Sequence, residues 1–175
     1  MTDAPDDNAI FPGAVSPRGF GTLPLEHMAT RSGLEMLNAM LAGEYPAPPI
    51  SRTLAFALVE ASPGVVMFEG MPSAAFLNPL GAVHGGWAAA IVDSALGCAV
   101  HTTLQAGEGY TTAEMKVNYL RPITPATGKV RCEGKVVHRG RTLALSEARL
   151  TDSAGKLLAF ATETCSIFPL ANMMR

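Results

Sequence analysis

The feature that most constrains this chain is an apolar stretch of twenty residues from Gly85 to Leu104. Twenty residues of helix would cover about 30 Å, the thickness of a bilayer core. A membrane span is disfavoured because Asp93, near the middle, would cost about 2.5 to 3.5 kcal/mol there, and because no Lys or Arg flanks the stretch. Much of the apolarity also comes from alanine alone. The sequence therefore predicts a helix in the core of a globular protein.

The composition is typical of one globular domain and argues against a nucleic-acid partner. A length of 175 residues fits one domain with a short appendage. With 48% hydrophobic and 16% charged residues, the chain has enough apolar material for a sizeable core. The formal net charge is −2, and no run of basic residues provides the electrostatic footprint of a DNA- or RNA-binding protein.

The cysteine spacing and the N-terminal sequence both favour a cytoplasmic location. The three cysteines lie more than thirty positions apart without ligand spacing, which predicts buried free thiols in a reducing compartment; they are Cys98, Cys132 and Cys165. The sequence MTDAPDDNAIFPG is acidic and lacks the basic and apolar regions of a secretory signal. We therefore expect a cytoplasmic protein that has no membrane partner.

The chain is predicted to consist of an N-terminal extension and one main domain. Residues 1–24 show no periodicity and are rich in Pro, Asp and Gly, which predicts a loosely attached tail. After Ser32, leucines at i, i+3 and i+7 predict a short amphipathic helix that ends near Gly43. The predicted parts are the tail with this helix, the main domain and a C-terminal tail, at residues 1–48, 49–170 and 171–175.

Alternating apolar residues predict two strands before the long helix and four after it. The first two strands join at a Ser-Pro-Gly turn, residues 62–64, and form a hairpin. The later strands are predicted to form an antiparallel meander; they are residues 110–120, 128–137, 142–151 and 157–168. Their connections are too short for the helical crossovers of parallel strands. We expect an α+β fold in which one antiparallel sheet curls around a long central helix.

The start of the predicted long helix has the composition of an oxyanion-binding site. Gly81, Gly85 and Gly86 permit a tight turn and a close approach to the unpaired backbone N–H groups of the first helical turn. These donors, together with the positive end of the helix dipole, suit a carbonyl oxygen that becomes an oxyanion during acyl transfer. Asn78 and His84 precede the helix and are further candidates for this site.

Asp93 is the only acidic residue of the apolar stretch and is the main candidate for chemistry. A carboxylate is almost never fully buried without a partner. On a helix Asp93 shares one stripe with Gly86, Ala90 and Gly97, whose small side chains let a ligand or a second backbone approach. Capping of a loop or pairing with an arginine is the structural alternative. The nearby glycines and His84 favour a carboxylate that faces a cleft.

The spacing of these residues resembles the signature of hotdog-fold acyl-CoA thioesterases of the phenylacetate-degradation (PaaI-like) family. The resemblance is carried by Asn78-x-x-Gly81-x-x-His84-Gly85-Gly86, with Asp93 nine positions after the histidine. It extends over about residues 50–168 and includes the segments NYLRP and HRGRTLALSEARLTD. The resemblance implies a hotdog fold with an N-terminal helical extension. It also implies hydrolysis of aromatic or medium-chain acyl-CoA to free acid and CoA, with no cofactor beyond the CoA of the substrate.

The resemblance implies a role for each residue of the signature. The N–H of Gly85 would polarise the thioester carbonyl, with help from His84 and from the side chain of Asn78. Asp93 would either activate a water as general base or attack the thioester itself, and both routes are open.

A hydroxyl residue and a second protomer would complete such a site. Thr112 falls where the family often has Ser or Thr to orient the carboxylate or the water, and the adjacent Thr111 is the alternative. In this family the cleft forms between two protomers, so Asp93 would face the partner's Asn78 and the partner's His84. A dimer would be the minimum active unit, often doubled to a homotetramer. The helix of residues 1–48 would cover the acyl pocket, extend the oligomer interface, or do neither.

A second set of residues resembles the family's contacts to the nucleotide and phosphate part of CoA. Guanidinium groups bind phosphate oxygens in a bidentate manner, so arginines suit this task. Solvated arginines at a hairpin turn are the structural alternative. The set consists of Arg121 and the loop residues His138, Arg139, Gly140, Arg141 and Thr142.

Two other functions are alternatives to hydrolysis. A hotdog hydratase or dehydratase also uses a histidine and a carboxylate near a helix start, but Gly-Gly after the histidine resembles the thioesterase branch. A non-catalytic acyl-CoA-binding domain would have no use for a carboxylate beside a thioester. The sequence has no GxSxG motif of a serine hydrolase, and its histidines lack metal-ligand spacing. The sequence does not identify the acyl group, since one methylene changes the free energy of substrate discrimination by only about 1 to 3 kcal/mol.

Overall fold

A six-stranded antiparallel sheet wraps around a 17-residue helix in the computed structural model, which describes residues 7–172. In chain order the elements are β1 (Ala9–Phe11), β2 (Ala14–Val15), α1 (Leu25–Thr30), α2 (Gly33–Leu41), α3 (Pro49–Leu54), β3 (Phe56–Ser62), β4 (Val65–Gly70), α4 (Gly85–His101), β5 (Glu108–Tyr119), β6 (Val130–Arg139), β7 (Leu143–Asp152) and β8 (Leu157–Pro169). The predicted N-terminal tail (residues 1–24) and C-terminal tail (residues 171–175) include residues 1–6 and 173–175, which lie outside the described residues.

The helix α4 is buried because large apolar side chains cover most of its circumference. Each of the following is at most 3% exposed: Trp87, Ile91, Val92, Leu96 and Val100. Burying such a side chain stabilises the fold by about 1.5 to 3 kcal/mol. None of the helices within residues 7–172 is long and apolar enough to cross a bilayer. The prediction of a core helix is therefore confirmed.

The strand order of the main sheet is β3-β4-β6-β7-β8-β5, and every neighbouring pair is antiparallel. The predicted hairpin of the first two strands is confirmed as β3 and β4. The predicted meander of four strands is correct only for β6, β7 and β8. The strand β5 pairs with β8 at the edge of the sheet, and β6 pairs with β4 instead.

The connection between β5 and β6 explains why the four-strand meander is wrong. A meander would need a hairpin here, but Pro122 and Pro125 interrupt the segment and a short 3₁₀ helix follows. The carbonyl of Ile123 accepts a hydrogen bond from the N–H of Val83, 2.9 Å away. The connection therefore passes the start of α4 and delivers β6 to the interior of the sheet, between β4 and β7.

The N-terminal extension packs on the main domain and is not a loosely attached tail. Ile10 and Phe11 in β1 are buried in a small cluster with Ala57 of β3. The predicted amphipathic helix is confirmed as α2, whose N-cap is Ser32, in a capping box with Glu35. The helix α3 was not predicted, because six residues are too few to show a helical period.

Gly134 in β6 allows the sheet to approach α4 closely. A Cβ at this position would lie 2.1 Å from the carbonyl oxygen of Ala95 in the helix, a contact that requires the backbone to move. The close packing of the sheet on the helix therefore depends on the absence of a side chain at Gly134.

We expect Gly134→Ala to destabilise the protein, since overpacking costs about 1 to 3 kcal/mol. The Tm should fall by about 2 to 10 °C in a thermal unfolding experiment. Lys135→Ala is the matched control, because Lys135 is exposed on the outer face of the same strand and should leave the Tm nearly unchanged. An unchanged Tm for Gly134→Ala would contradict the close packing of β6 on α4.

Candidate active site

Asn78 organises the loop that precedes α4. Its side-chain oxygen accepts hydrogen bonds from the N–H groups of Leu80, at 2.9 Å, and Ala82, at 3.2 Å. Gly81 adopts a φ of 81°, a conformation that favours glycine, and closes the turn. The Asn78 oxygen therefore has a structural task, and the side-chain NH₂ group is the part of this residue that is available to a ligand.

His84 is the N-cap of α4 and presents a donor beside the helix start. Its Nδ1 atom accepts a hydrogen bond from the N–H of Gly86 at 2.9 Å. Because Nδ1 accepts, a neutral His84 ring carries its proton on Nε2. The N–H of Gly85 bonds to no acceptor within the described residues. The helix start thus offers the Gly85 N–H and the His84 Nε2–H, as an oxyanion site requires.

Tyr119 holds Gly85 from the other side and borders a cleft. Its hydroxyl donates to the Gly85 carbonyl at 3.1 Å, and a Cβ at Gly85 would lie 3.2 Å from the Tyr119 ring. The cleft has a volume of about 350 Å³ and also contains Arg121, whose guanidinium donates to the Leu157 carbonyl. Most of its remaining lining is apolar: Val83, Ala88, Leu120, Pro122, Ile123, Leu158 and Ala159.

Asp93 lies half-buried in the middle of α4 and contacts Thr112. The Thr112 Oγ1 atom is 3.3 Å from Asp93 Oδ1. The structure brings Thr112 and not Thr111 to the carboxylate, since adjacent residues of a strand point to opposite faces. A bulge in β5 between Thr112 and Glu114 adjoins this contact, a common feature of strands beside active sites.

Glu163 in β8 is a member of this site that the sequence analysis missed. It is fully buried, and its Oε1 atom lies 3.2 Å from Thr112 Oγ1 and 2.9 Å from Cys165 Sγ. Burial raises the pKa of Glu163 to about 7; the Cys165 and Thr112 hydrogen bonds lower it, and the charge of Asp93 raises it further. The available signal was the alternation of β8, in which Ala161, Glu163, Cys165 and Ile167 occupy inward positions.

The predicted catalytic residues form two clusters within one chain. Gly85 and Asp93 are eight residues apart on the same helix, which corresponds to about 12 Å along the axis. An oxyanion donor must lie about 3 Å from the oxygen of the carbonyl group whose carbon is attacked by the carboxylate-activated water or by the carboxylate itself. One chain therefore does not bring Asp93 together with Asn78, His84 and Gly85 on a single thioester.

The six predicted CoA contacts also lie in two places. The N–H of Arg121 donates to the carbonyl of Leu158 at one end of β8, and the carbonyl of Thr142 accepts from Ile167 near the other end. Nine residues of strand separate these positions, a distance of about 30 Å. Arg121 is therefore far from the other five residues, of which His138 and Arg139 are the last residues of β6 and only Gly140, Arg141 and Thr142 form the loop before β7.

At this end of the hairpin, Arg139 and Arg141 differ in their availability to a ligand. The Nη2 atom of Arg139 donates to both carboxylate oxygens of Glu108, at 3.0 Å to Oε1 and 2.8 Å to Oε2, so this guanidinium is already paired. The N–H of Gly140 donates to the Leu143 carbonyl and shapes the turn. Arg141 and His138 are exposed. Arg141 is therefore the arginine of the loop that is best placed to meet a phosphate.

Comparison with known proteins relates this architecture to thioesterases. The model of the thioesterase superfamily matches residues 80–159. Human acyl-coenzyme A thioesterase 13 is 32% identical over 108 residues, which are 61% of this chain and 76% of that protein. A putative thioesterase from Ralstonia eutropha, described as a phenylacetic acid degradation-related protein, is 32% identical with a TM-score of 0.68 and covers 74% of this chain and 97% of its own. A Streptococcus mutans protein bound to acetyl-CoA is 26% identical with a TM-score of 0.60 and covers 65% and 89%.

The raised pKa of Glu163 predicts a pH dependence of stability. A carboxyl group with a pKa near 4.5 in the unfolded chain and about 7 in the folded chain binds more protons in the folded state between these values. The free energy of unfolding should therefore fall as pH rises from about 4.5 to about 7, by up to about 3 kcal/mol from this group. In urea unfolding, Glu163→Gln should match the wild type near pH 5 and exceed its stability near pH 8. A variant that is equally destabilised at both pH values would contradict this assignment.

Proposed function

Because this chain belongs to the thioesterase superfamily and is a thioester hydrolase with the hotdog fold, we propose that it hydrolyses aromatic or medium-chain acyl-CoA to free acid and CoA. The observation that carries the proposal is the half-buried Asp93, in contact with Thr112, on the helix whose N-terminus supplies unpaired donors. Asp93 is the essential carboxylate of the proposed reaction.

The proposed hydrolysis divides its tasks between the two clusters. The N–H of Gly85 and the Nε2–H of His84 stabilise the oxyanion that forms when the thioester carbonyl is attacked. Asp93 removes a proton from the attacking water, with Thr112 orienting the carboxylate, and CoA leaves as its thiol after it takes up a proton. Attack by Asp93 itself would give an anhydride, which water then hydrolyses to the same products.

The separation of the clusters supports an active unit of two chains. A two-fold axis places the N-terminus of one α4 beside the middle of the other, so Asp93 of one protomer meets the partner's Gly85 and the partner's His84. The small side chains that share the helix face with Asp93 allow such an approach. The strand β5 favours the same arrangement, since it is a twelve-residue edge strand whose residues 111–114 are all exposed.

The same axis unites the separated CoA contacts. Two β5 edges that pair in antiparallel fashion bring the Glu108 end of one strand beside the Tyr119 end of the other. The loop with Arg141 then lies on the side of the partner's Arg121 and the partner's Gly85. This arrangement supports a CoA site with basic side chains from both chains, in keeping with the acetyl-CoA bound to the Streptococcus mutans protein.

An apolar cavity that reaches α4 at Cys98 is the proposed pocket for an apolar acyl group. It has a volume of about 380 Å³, within the ordinary range for ligand pockets, and lies between α2 and the hairpin of β3 and β4. Leu37, Met40 and Leu58 belong to its lining, and Cys98 of α4 lies five residues beyond Asp93. The N-terminal extension thus forms one wall of the proposed acyl pocket.

Thiol release from a panel of aromatic and straight-chain acyl-CoAs tests the proposed function. Asp93→Asn keeps the shape and removes the charge, so we expect kcat to fall at least about a hundred-fold with a small change in KM. Asp7→Asn, the same change at an exposed residue, should keep the wild-type rate. Binding of CoA esters without release would instead indicate a binding domain, and a hydrated or dehydrated acyl-CoA product would indicate a hydratase.

Mixed dimers test whether the site is shared between chains. Asp93→Asn and His84→Ala homodimers should both be impaired, whereas coexpression of the two variants yields heterodimers with one intact site. Random assembly should restore about a quarter of the wild-type activity, because half of the dimers carry one active site of two. Mixtures that are no more active than the separate variants would show that each site lies within one chain.

A further inference from the structure

Four polar side chains from three strands meet beneath Asp93, on the inner face of the sheet. Thr112 of β5 lies between Asp93 and Glu163, and Cys165 contacts Glu163 from the same strand. Ser146 of β7 is paired directly with Glu163 of β8 and faces the helix with it. The Oε2 atom of Glu163 and the hydroxyl of Ser146 are both buried without a hydrogen-bond partner in the described part of the chain.

The number of protons decides how this cluster is connected. The Thr112 hydroxyl has one proton and lies near two carboxyl oxygens, Asp93 Oδ1 at 3.3 Å and Glu163 Oε1 at 3.2 Å. If both carboxyls were ionised, one oxygen would face the hydroxyl without receiving its proton. If Glu163 is neutral, its O–H donates to Thr112 Oγ1, and the Thr112 hydroxyl then donates to Asp93. Of these two arrangements, the second satisfies every contact in this chain of hydrogen bonds; the reverse one, with a neutral Asp93, would place the charge on the fully buried Glu163.

We propose that Glu163 is a positioning residue of the hydrolase, a neutral carboxylic acid that directs the Thr112 hydroxyl toward an ionised Asp93. Glu163 does not touch the substrate in this account; it acts through Thr112. The proposal rests on the proposed function for its effect on catalysis, whereas the protonation state of Glu163 is a property of the folded protein alone.

The charges around Glu163 agree with a neutral acid. The titratable groups of the described residues that interact with it are Asp93 and Cys98 of α4, Tyr110 of β5, and Cys165 of its own strand. None of these groups carries a positive charge, so no ion pair compensates a second buried carboxylate. Glu163 is fully buried whereas Asp93 is half-buried, so a single negative charge is better solvated on Asp93.

The proposal assigns a pH dependence to the reaction. Glu163 positions Thr112 only in its acid form, which is populated below its pKa. When pH rises through about 7, Glu163 loses its proton, the donor to Thr112 disappears, and a second negative charge lies next to Asp93. The activity that depends on Glu163 is therefore present at lower pH and lost as pH rises through this value.

Infrared difference spectroscopy tests the protonation state without any substrate. The wild-type protein should show the C=O band of a buried carboxylic acid that disappears as pH rises through about 7, and Glu163→Gln should lack this band. The matched control Glu133→Gln changes an exposed glutamate on β6 and should retain the band. A wild-type spectrum without the band, or a band that persists in Glu163→Gln, overturns the proposal even if no acyl-CoA is hydrolysed.

The pH profile of kcat tests the positioning role. Glutamine at position 163 still donates to Thr112 through its NH₂ group but does not ionise, so Glu163→Gln should lose the decline near pH 7 that the wild type and Glu133→Gln show. Glu163→Ala has no donor and should lower kcat at least about ten-fold below about pH 7, where the wild-type Glu163 is in its acid form, with KM within about two-fold. An unchanged decline in Glu163→Gln overturns the role; if Glu163→Ala does not fold, the glutamine variant alone decides.

Discussion

The close packing of the sheet on α4 is the constraint on which the rest of the structure depends. Gly134 removes the side chain that would keep β6 away from the helix backbone. The closed sheet then surrounds a helix whose large apolar side chains have no contact with solvent. A carboxylate on such a helix survives only on the half-buried face or with polar partners, and Asp93 has both. The geometry that stabilises the fold therefore also limits where its acid can lie.

The long helix also separates the two parts of the chemistry. Its N-terminus concentrates backbone donors, while Asp93 lies about two turns further along. A rigid helix does not bend to close that distance, so the proposed reaction takes its groups from two helices. The edge strand β5 and the two ends of the sheet that hold Arg121 and Arg141 lead to the same conclusion. In the proposed dimer, oligomer formation and catalysis are thus two consequences of one architectural feature.

Much of this molecule is predictable from its sequence, because periodicity and turn residues report local structure. The core helix, the hairpin of β3 and β4 and the capping of α2 by Ser32 follow from such patterns, whereas the expected place of Thr112 beside Asp93 came from the family resemblance. The position of β5 does not, since strand order depends on contacts such as that of Val83 with Ile123. Glu163 was missed because its importance arises from burial opposite Thr112, which two strands and a helix determine together.

A crystal structure with an inert acyl-CoA analogue, in which a ketone replaces the thioester, tests the central claim of a shared site most directly. The account predicts a carbonyl oxygen about 3 Å from the Gly85 N–H of one protomer, with the Asp93 carboxylate of the other protomer on the attacking side. A carbonyl that lies against Gly85 and Asp93 of the same chain, or one remote from both residues, would contradict it.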